Sequence, residues 1–318
     1  MKELQNLLST NDKKLLVVLP IKKITDTFLN ECTYSIAQQN QPIDLLVLYN
    51  GESEEELNSL KSILDKPSIS VPDKKNEDGT VEYKVIEAEK KINYVVEKTD
   101  SYTFQQIFNE SLNYAVINSY ETFSVIEPED VIDIDWYQNA LNYAAKKTDK
   151  DAFLPITREV SNGGFVGFFN EACWVDGYAE VAGVFDLQLL MRFNCANITG
   201  TVFKTKSIQE HAETVDNKLK VIKEDFKYSY SHEFFLRMIY NDLKFFTVPR
   251  LGYEHRIDIP TENVDPFTSK IPRNITAWPE EKGGMSPEEI KYWNETAKKE
   301  YFISRHDRPI GFEKKVLA

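Results

Sequence analysis

Three carboxylates occur together in the motif Glu127-Pro128-Glu129-Asp130, directly after the apolar segment 123–126. Carboxylates that converge at the end of one strand repel each other unless a divalent cation lies between them, and oxygen ligands suit Mg²⁺ or Mn²⁺. The motif therefore indicates a metal site at a strand end. The same acids would suit a helix N-terminus, where the helix dipole favours negative charge, and the residues alone do not decide between the two.

A second candidate site is the pair His255 and Arg256, which follows a predicted strand at residues 244–249. The chain has only four His residues. Imidazole nitrogens bind metals, and a guanidinium suits phosphate groups. The pair therefore indicates a metal or phosphate ligand, although a His and an Arg on an ordinary surface are the commoner case.

Glu233 is a third candidate, because it lies one helical turn before Arg237 and the residues between them are mostly apolar. An acid and a base at this spacing usually form a salt bridge on a solvated helix face. The apolar neighbours predict a largely buried helix instead, in which a charged pair is costly. A buried carboxylate can serve as a general base, so Glu233 is a candidate catalytic residue.

Two further predicted strands end at Pro20 and at Asn50-Gly51. The carboxyl ends of parallel strands are where such sheets bind ligands. A Gly there lets the backbone approach a ligand, and an Asn amide can bind a base or a ribose. An ordinary turn accounts for the same dipeptide, because Asn-Gly is frequent in turns.

The elements that position these residues alternate between strand and helix. Residues 15–20 and 43–49 are apolar runs typical of buried strands, and residues 25–39 and 52–64 have helical periodicity. This alternation predicts a Rossmann-like, mostly parallel sheet flanked by helices.

The remaining prediction is coarser. Residues 67–79 are polar and predict a surface excursion, and residues 152–201, rich in Gly and aromatics, predict irregular strands and loops over a cleft. The other predicted strands are 82–87, 123–126 and 244–249, and the other predicted helices are 104–120, 136–146, 226–241 and 286–301.

Composition narrows the class of protein. With 318 residues, 42% of them apolar, the chain can bury one large core or two modest ones. There are 51 acidic and 38 basic side chains and no dense Lys/Arg block, so a nucleic-acid partner is not expected. Cys32, Cys173 and Cys195 are predicted to be reduced core thiols. No segment approaches the roughly 18 apolar residues of a membrane span, and a cytoplasmic location is predicted.

Taken in order, these motifs resemble glycosyltransferase family 2. The first strand, LLVVLP, ends in Pro as the family's does. Ser35 and Gln39 match its Ser-x-x-x-Gln helix end, and Tyr49-Asn50-Gly51-Glu52-Ser53 is similar to its Asp-Asp-Gly-Ser turn. The family's Asn, followed six residues later by Ala, is matched by Asn109 and Ala115. Its Asp-x-Asp-Asp motif resembles the acidic motif, its acid before a Leu-x-Arg-like helix resembles Glu233, and its later His resembles His255.

This resemblance covers residues 15–258 and implies a GT-A fold, a nucleotide-diphosphate sugar as donor, and metal-dependent, inverting transfer of a hexose to a glycan or other hydroxyl acceptor. It implies Mn²⁺ or Mg²⁺ as cofactor and Glu233 as general base. The implied ligand sets are Glu127, Glu129 and His255 for the metal, Arg256 for phosphate, and Pro20, Tyr49, Asn50, Gly51 and Asn109 for the nucleotide.

Two departures from the family pattern favour an alternative. Tyr49 replaces the usual Asp, and both metal carboxylates are Glu. A catalytically degenerate GT-A-like domain, kept as a structural or sugar-binding component of an assembly such as a virion, would tolerate both changes. A nucleotidyltransferase is a weaker alternative, because it normally needs a Gly- and Lys/Arg-rich phosphate loop, which Pro20-Ile-Lys-Lys-Ile does not provide.

The resemblance also suggests boundaries and an origin. It divides the chain into a GT-A-like domain at residues 1–258, with a nucleotide-binding half (15–150) and an acceptor half (151–258), and an extension at residues 259–318. The extension is expected to pack on the body or on a protein partner. The segments HEFFLR and PRLGYEH are similar to sequences of large DNA phages, which implies a phage-encoded member in the host cytoplasm or the virion.

Overall fold

A computed structural model describes residues 13–257, except 23, 25, 77, 102, 162, 193–194 and 227–228, together with residues 287–292 and 295–296. Its first four sheet strands are parallel and lie in the order β5, β2, β1, β6. They are β1 Leu15–Ile21, β2 Asp44–Tyr49, β5 Asn93–Lys98 and β6 Thr122–Val125. Every residue of β1 and β2 is buried, as continuous apolar runs in a parallel sheet require.

The sheet continues with strands from the second half of the chain. The order after β6 is β10, β8, β13 and β7, with β9 paired to β8. Here β8 and β13 are parallel, and β7, β9 and β10 run antiparallel to their neighbours. The strands are β7 Val131–Ile132, β8 Ala152–Ser161, β9 Gly164–Phe169, β10 Val202–Lys204 and β13 Phe245–Ile257. Both predicted halves therefore contribute strands to one sheet.

Helices cover both faces of this sheet, and the strands alternate between two apolar cores. Val18 and Leu46 face one core with the helices Phe104–Ile117 and Tyr230–Tyr240, while Val17 and Leu45 face the other with the helices Asp26–Ala37 and Trp136–Lys146. The helices are α1 Asp26–Ala37, α2 Glu54–Asp65, α3 Phe104–Ile117, α4 Trp136–Lys146, α5 Leu187–Arg192, α6 Thr205–Gln209, α7 Tyr230–Tyr240 and α8 Pro287–Lys291, with a short 3₁₀ helix at Ala172–Trp174. The predicted mostly parallel α/β architecture is confirmed.

Two hairpins stand outside the main sheet. Strands β3 Ser68–Lys75 and β4 Val81–Glu87 pair with each other, as do β11 Glu213–Val215 and β12 Lys218–Lys220. The predicted surface excursion at 67–79 contains the strand β3, and the predicted strand 82–87 completes this hairpin. The strand that pairs with β2 in the main sheet is β5, whose half-buried residues give a weaker apolar signal.

The strand β13 is longer than predicted. Pro249 suggested an end at residue 249, but the pairing with β8 resumes after register shifts between Thr247 and Tyr253. Irregularities of this kind accommodate a Pro within a sheet. His255 and Arg256 consequently lie inside a strand and not in the loop after it. The predicted glycine-rich loops at 152–201 likewise contain two regular strands, β8 and β9.

Two predictions concern the whole chain. Cys32, Cys173 and Cys195 are buried and unbridged, which confirms the prediction for the thiols. In the part of the chain that the structure describes, no helix has the length and apolar character needed to cross a bilayer. Half of the predicted helix at 286–301 lies outside the described residues, and α8 lies in the other half.

Candidate functional site

Glu127, Asp130 and His255 lie together at the edge of the sheet. Each offers one ligand atom, and the three atoms lie within 4.8 Å of one another. His255 Nδ1 is 3.0 Å from Asp130 Oδ2 and 3.7 Å from Glu127 Oε2. All three residues are buried. Two carboxylates and an imidazole form a donor set that fits a divalent cation such as Mn²⁺.

Strand pairing brings these residues together. The acidic turn, residues 127–130, connects β6 to β7, and β7 is antiparallel to β13, with Val131 opposite Glu254. The last acid of the turn therefore reaches the next residue of β13, His255. The alternative that these acids belong to a helix N-terminus is wrong, because the strand β7 follows the turn directly.

The residues that match the family's Ser-x-x-x-Gln motif hold the chain just after the turn. The main-chain N–H of Ile132 donates to Ser35 Oγ at 3.2 Å, and Gln39 Nε2 donates to the carbonyl of Asp133 at 2.8 Å. Ser35 lies in the last turn of α1, Gln39 follows two residues after its end, and both are buried. The motif thus fixes β7 against α1 and, through β7, the position of the turn.

Tyr253 supports the turn from the other side. Its hydroxyl accepts a hydrogen bond from the main-chain N–H of Glu127 at 3.1 Å. Burial, together with the nearby charges of Asp130 and Glu127, raises the pKa of Tyr253 well above its usual value of 10. The phenol therefore stays neutral and adds no further negative charge to the acidic group.

Arg256 lies beside the same turn. Its main-chain N–H donates to Asp130 Oδ1 at 2.9 Å, and its Nη1 donates to the carbonyl of Glu129 at 3.1 Å. Glu129 is buried, but its carboxylate is not part of the three-residue group. The structure thus places Asp130 where the sequence suggested Glu129. The third acid of the family's Asp-x-Asp-Asp pattern, at its fourth position, was the available signal for Asp130.

The residues predicted to bind a nucleotide lie at the ends of β1 and β2. Pro20 is buried in β1 opposite Leu48. Asn50 donates through Nδ2 to the carbonyls of Thr99 at 2.9 Å and Ser101 at 3.0 Å, and so joins the end of β2 to the chain after β5. Both Asn50 side-chain N–H groups are used in this way, so a ligand would have to bind this side chain through Oδ1.

Tyr49 and Gly51 are packed against each other. The Tyr49 hydroxyl is 3.1 Å from Glu56 Oε2, and the side chain is 1% exposed. A Cβ atom on Gly51 would lie 1.9 Å from Tyr49 Oη. The Gly at position 51 therefore makes room for the tyrosine. This packing explains why a glycine is needed here even if no ligand approaches it.

Comparisons with known proteins bear on the fold. No protein-family model and no curated protein matches the sequence. A crystal structure of S. aureus TarS 1–349 in complex with UDP-GlcNAc is similar, with a TM-score of 0.53, 14% identity, and coverage of 79% of this chain and 60% of that one. The corresponding complex with UDP has a TM-score of 0.51, 14% identity, and coverage of 79% and 62%. The fold is GT-A. The chain spans about 60% of the length of these structures.

Within the GT-A fold, Asn109 occupies an internal network. Its Nδ2 donates to the carbonyl of Ile222 at 2.9 Å and to Glu224 Oε1 at 3.1 Å. Its Oδ1 accepts from the main-chain N–H groups of Val221 and Ile222, both at 2.9 Å. Two donors and two acceptor positions are all that an amide offers. Asn109 therefore anchors the segment 221–224, and the donor site proposed below does not include it.

Glu233 is fully buried in α7, as predicted, and accepts from several donors. Arg237 approaches it with Nε at 2.7 Å and Nη2 at 3.2 Å, and Lys223 Nζ lies at 3.3 Å. Tyr292, next to α8, places its hydroxyl 3.4 Å from Glu233 Oε1. The neighbouring Glu289 accepts from the N–H of Ser229 at 2.7 Å, which holds α8 against the start of α7.

The GT-A fold thus brings three of the predicted site residues together. Glu127, His255 and Arg256 meet around the acidic turn together with Asp130, which was not assigned from the sequence. Asn50, Asn109 and Glu233 take part in other hydrogen-bond networks.

Proposed function

We propose that the protein is a glycosyltransferase that binds a nucleotide-diphosphate sugar and transfers the sugar to a hydroxyl acceptor. The observation that supports this proposal is the buried Glu127–Asp130–His255 group at the edge of a GT-A sheet. The solved structures of this fold that resemble the chain hold UDP-GlcNAc or UDP, so a uridine nucleotide is the first donor to test.

Glu127, Asp130 and His255 would hold a divalent cation, with Mn²⁺ or Mg²⁺ as the proposed ion. When bound, the cation would neutralise negative charge on the departing nucleoside diphosphate. The two carboxylates supply negative charge in a buried setting, and His255 supplies a ring nitrogen. Asn50 and the main chain at the ends of β1 and β2 are the proposed contacts of the nucleoside.

Glu233 remains the proposed general base, in an inverting reaction. Arg237 and Lys223 orient its carboxylate and satisfy its charge in the absence of acceptor. An acceptor hydroxyl has to displace one of these donors, or Tyr292, before it can deliver its proton to the carboxylate. The acceptor itself, the predicted phage origin, and the host-cytoplasm or virion location stay predictions.

A thermal-shift titration tests the proposal directly. Ligand at about 100 times its dissociation constant adds roughly 2.7 kcal/mol of stability, so UDP or UDP-GlcNAc with Mn²⁺ should raise the Tm measurably. Asp130→Asn removes one anionic ligand and should abolish the Mn²⁺-dependent part of the shift. Glu121→Gln removes the same charge at an exposed site before β6 and should leave the shift unchanged.

The outcomes separate the candidate functions. A Tm that responds to no nucleotide sugar, of uridine or guanosine, with either metal would refute donor binding. A normal shift without any transfer or hydrolysis of the sugar would instead support the alternative, a sugar-binding GT-A domain that has lost catalysis.

A further inference from the structure

The Arg256 side chain connects the acidic turn to α1. Its Nη2 forms an ion pair with Glu31 Oε2, and its guanidinium carbon lies 5.2 Å from the centre of the Phe28 ring. On the opposite side, Nη1 donates to the carbonyl of Glu129, and Nε is 3.6 Å from Glu254 Oε1. The side chain is 17% exposed and that of Glu31 is 36% exposed. The guanidinium is thus held on three sides by groups of the protein.

We infer that Arg256 and Glu31 form a clasp that positions the acidic turn for cation binding, and that Arg256 is a positioning residue and not a phosphate ligand. Arg256 touches the turn through the Glu129 carbonyl, between the two proposed ligands Glu127 and Asp130. Glu31 fixes the direction of the guanidinium, because a planar fork paired at one end cannot rotate without breaking that pair.

Electrostatics supports this role. Three carboxylates occur within four residues of the turn, and their mutual repulsion opposes the conformation that brings two of them to His255. A guanidinium beside the turn offsets part of that repulsion before any cation arrives. Turning Arg256 outward to a phosphate would break its contacts with Glu31, the Glu129 carbonyl and the Phe28 ring, and would remove this compensation.

Part of the link to the turn does not depend on the side chain. The main-chain N–H of Arg256 donates to Asp130 Oδ1 and is present with any residue at position 256 except proline. Replacing the side chain should therefore weaken cation binding without abolishing it. This distinguishes the clasp from the ligands themselves, whose loss removes a bond to the cation.

The inference rests on the proposed cation site, and Mn²⁺ binding to the full chain without nucleotide tests it. Partners that orient metal ligands change affinity by about 10- to 100-fold when replaced. We expect Arg256→Met to weaken Mn²⁺ binding by about tenfold or more on this basis, and Arg256→Lys, which keeps the charge but loses the fork, to weaken it less. Glu31→Gln should weaken it in the same direction.

Matched controls separate these effects from changes of net charge. Arg250→Met lies on the same strand at an exposed position, and Glu55→Gln is exposed on α2. Both should keep the wild-type Mn²⁺ affinity. Circular dichroism and the Tm without metal check that each variant folds, and Glu31→Gln, at a partly exposed helix position, is the variant least dependent on core packing.

Measuring UDP affinity as well as Mn²⁺ affinity distinguishes the clasp from the alternative that Arg256 binds phosphate. If Arg256 were a phosphate ligand, Glu31→Gln would release the guanidinium, so UDP affinity would be unchanged or tighter and Mn²⁺ affinity would not change. Unchanged Mn²⁺ affinity in folded Arg256→Met and Glu31→Gln overturns the clasp. Wild-type protein that binds Mn²⁺ but no nucleotide would overturn the proposed function and leave the clasp intact, whereas wild-type protein that binds no Mn²⁺ overturns both.

Discussion

Replacing Gly51 by alanine should destabilise the protein, because the space for a Cβ atom is already filled by Tyr49. The added atom would lie 1.9 Å from Tyr49 Oη and 2.1 Å from Cζ. Ordinary contacts begin at about 3.4 Å, so the phenol ring has to move by more than 1 Å within a strand whose residues are all buried. Overpacking of this kind lowers the free energy of unfolding by about 1–3 kcal/mol. Alanine also restricts the unfolded chain, which raises the free energy of unfolding by about 0.4–1 kcal/mol.

Urea unfolding of single and double variants measures this clash. Gly51 does not have a left-handed φ, so the cost of Gly51→Ala is steric and depends on the tyrosine. Tyr49→Leu on its own loses packing, but in the double variant it removes the clash. We therefore expect a favourable coupling of about 1–3 kcal/mol between the two changes. Tyr49→Phe should not give this coupling, since Cζ remains.

Gly164→Ala is the matched control. A Cβ atom there meets Ser161 O at 3.4 Å, which is an ordinary contact, and the backbone is not left-handed. Equal stability of Gly51→Ala and the wild type, combined with weaker UDP binding, would refute the steric explanation. It would show instead that the glycine serves the close approach of a ligand.

Three more predictions concern single side chains. Asn109→Ala should lower the free energy of unfolding by about 3 kcal/mol, because three buried hydrogen bonds are lost at roughly 1 kcal/mol each together with a weaker, part-buried one to Glu224, and urea denaturation measures it; UDP affinity should not change. Glu233→Gln should keep nucleotide affinity and abolish sugar transfer in a single-turnover assay, and normal turnover would identify another base. Burial, and next the hydrogen bond with Glu56, raise the pKa of Tyr49 from 10 to about 12, so the folded state keeps a proton that the unfolded chain releases. The contribution of Tyr49 to stability should therefore be constant below pH 10 and be lost between pH 10 and 12, so the fall in stability over this range should be smaller in Tyr49→Phe; equal pH profiles would contradict this.

The parts of the fold that the sequence predicts are those with a strong local signal. The strands β1 and β2 are continuous apolar runs, and the helix at residues 136–146 was predicted with the bounds that the structure shows. The edge strand β5 was missed, because its half-buried residues resemble those of a polar segment. The length of β13 was underestimated, since Pro249 stops a strand locally, whereas pairing with β8 continues it.

The candidate site shows the same limit at the level of side chains. The sequence indicates that acids follow β6 and that His255 is near a strand end, but it does not show which acid of the turn faces His255. That choice depends on the pairing of β7 with β13, a tertiary contact. The amides of Asn50 and Asn109 are polar groups at suitable positions in the sequence. Only the fold reveals that main-chain groups of distant segments accept from Asn50 Nδ2 and pair with both ends of the Asn109 amide.

The pairing of β7 with β13 also has a consequence for how the protein folds. Asp130 and His255 are 125 positions apart, so the first half of the chain can form β1, β2 and β6 during synthesis and still lack an assembled cation site. Contacts of such long sequence separation form late and slowly. Mn²⁺ should therefore leave the refolding rate nearly unchanged and slow unfolding, because it binds a geometry that exists only once β13 has joined the sheet.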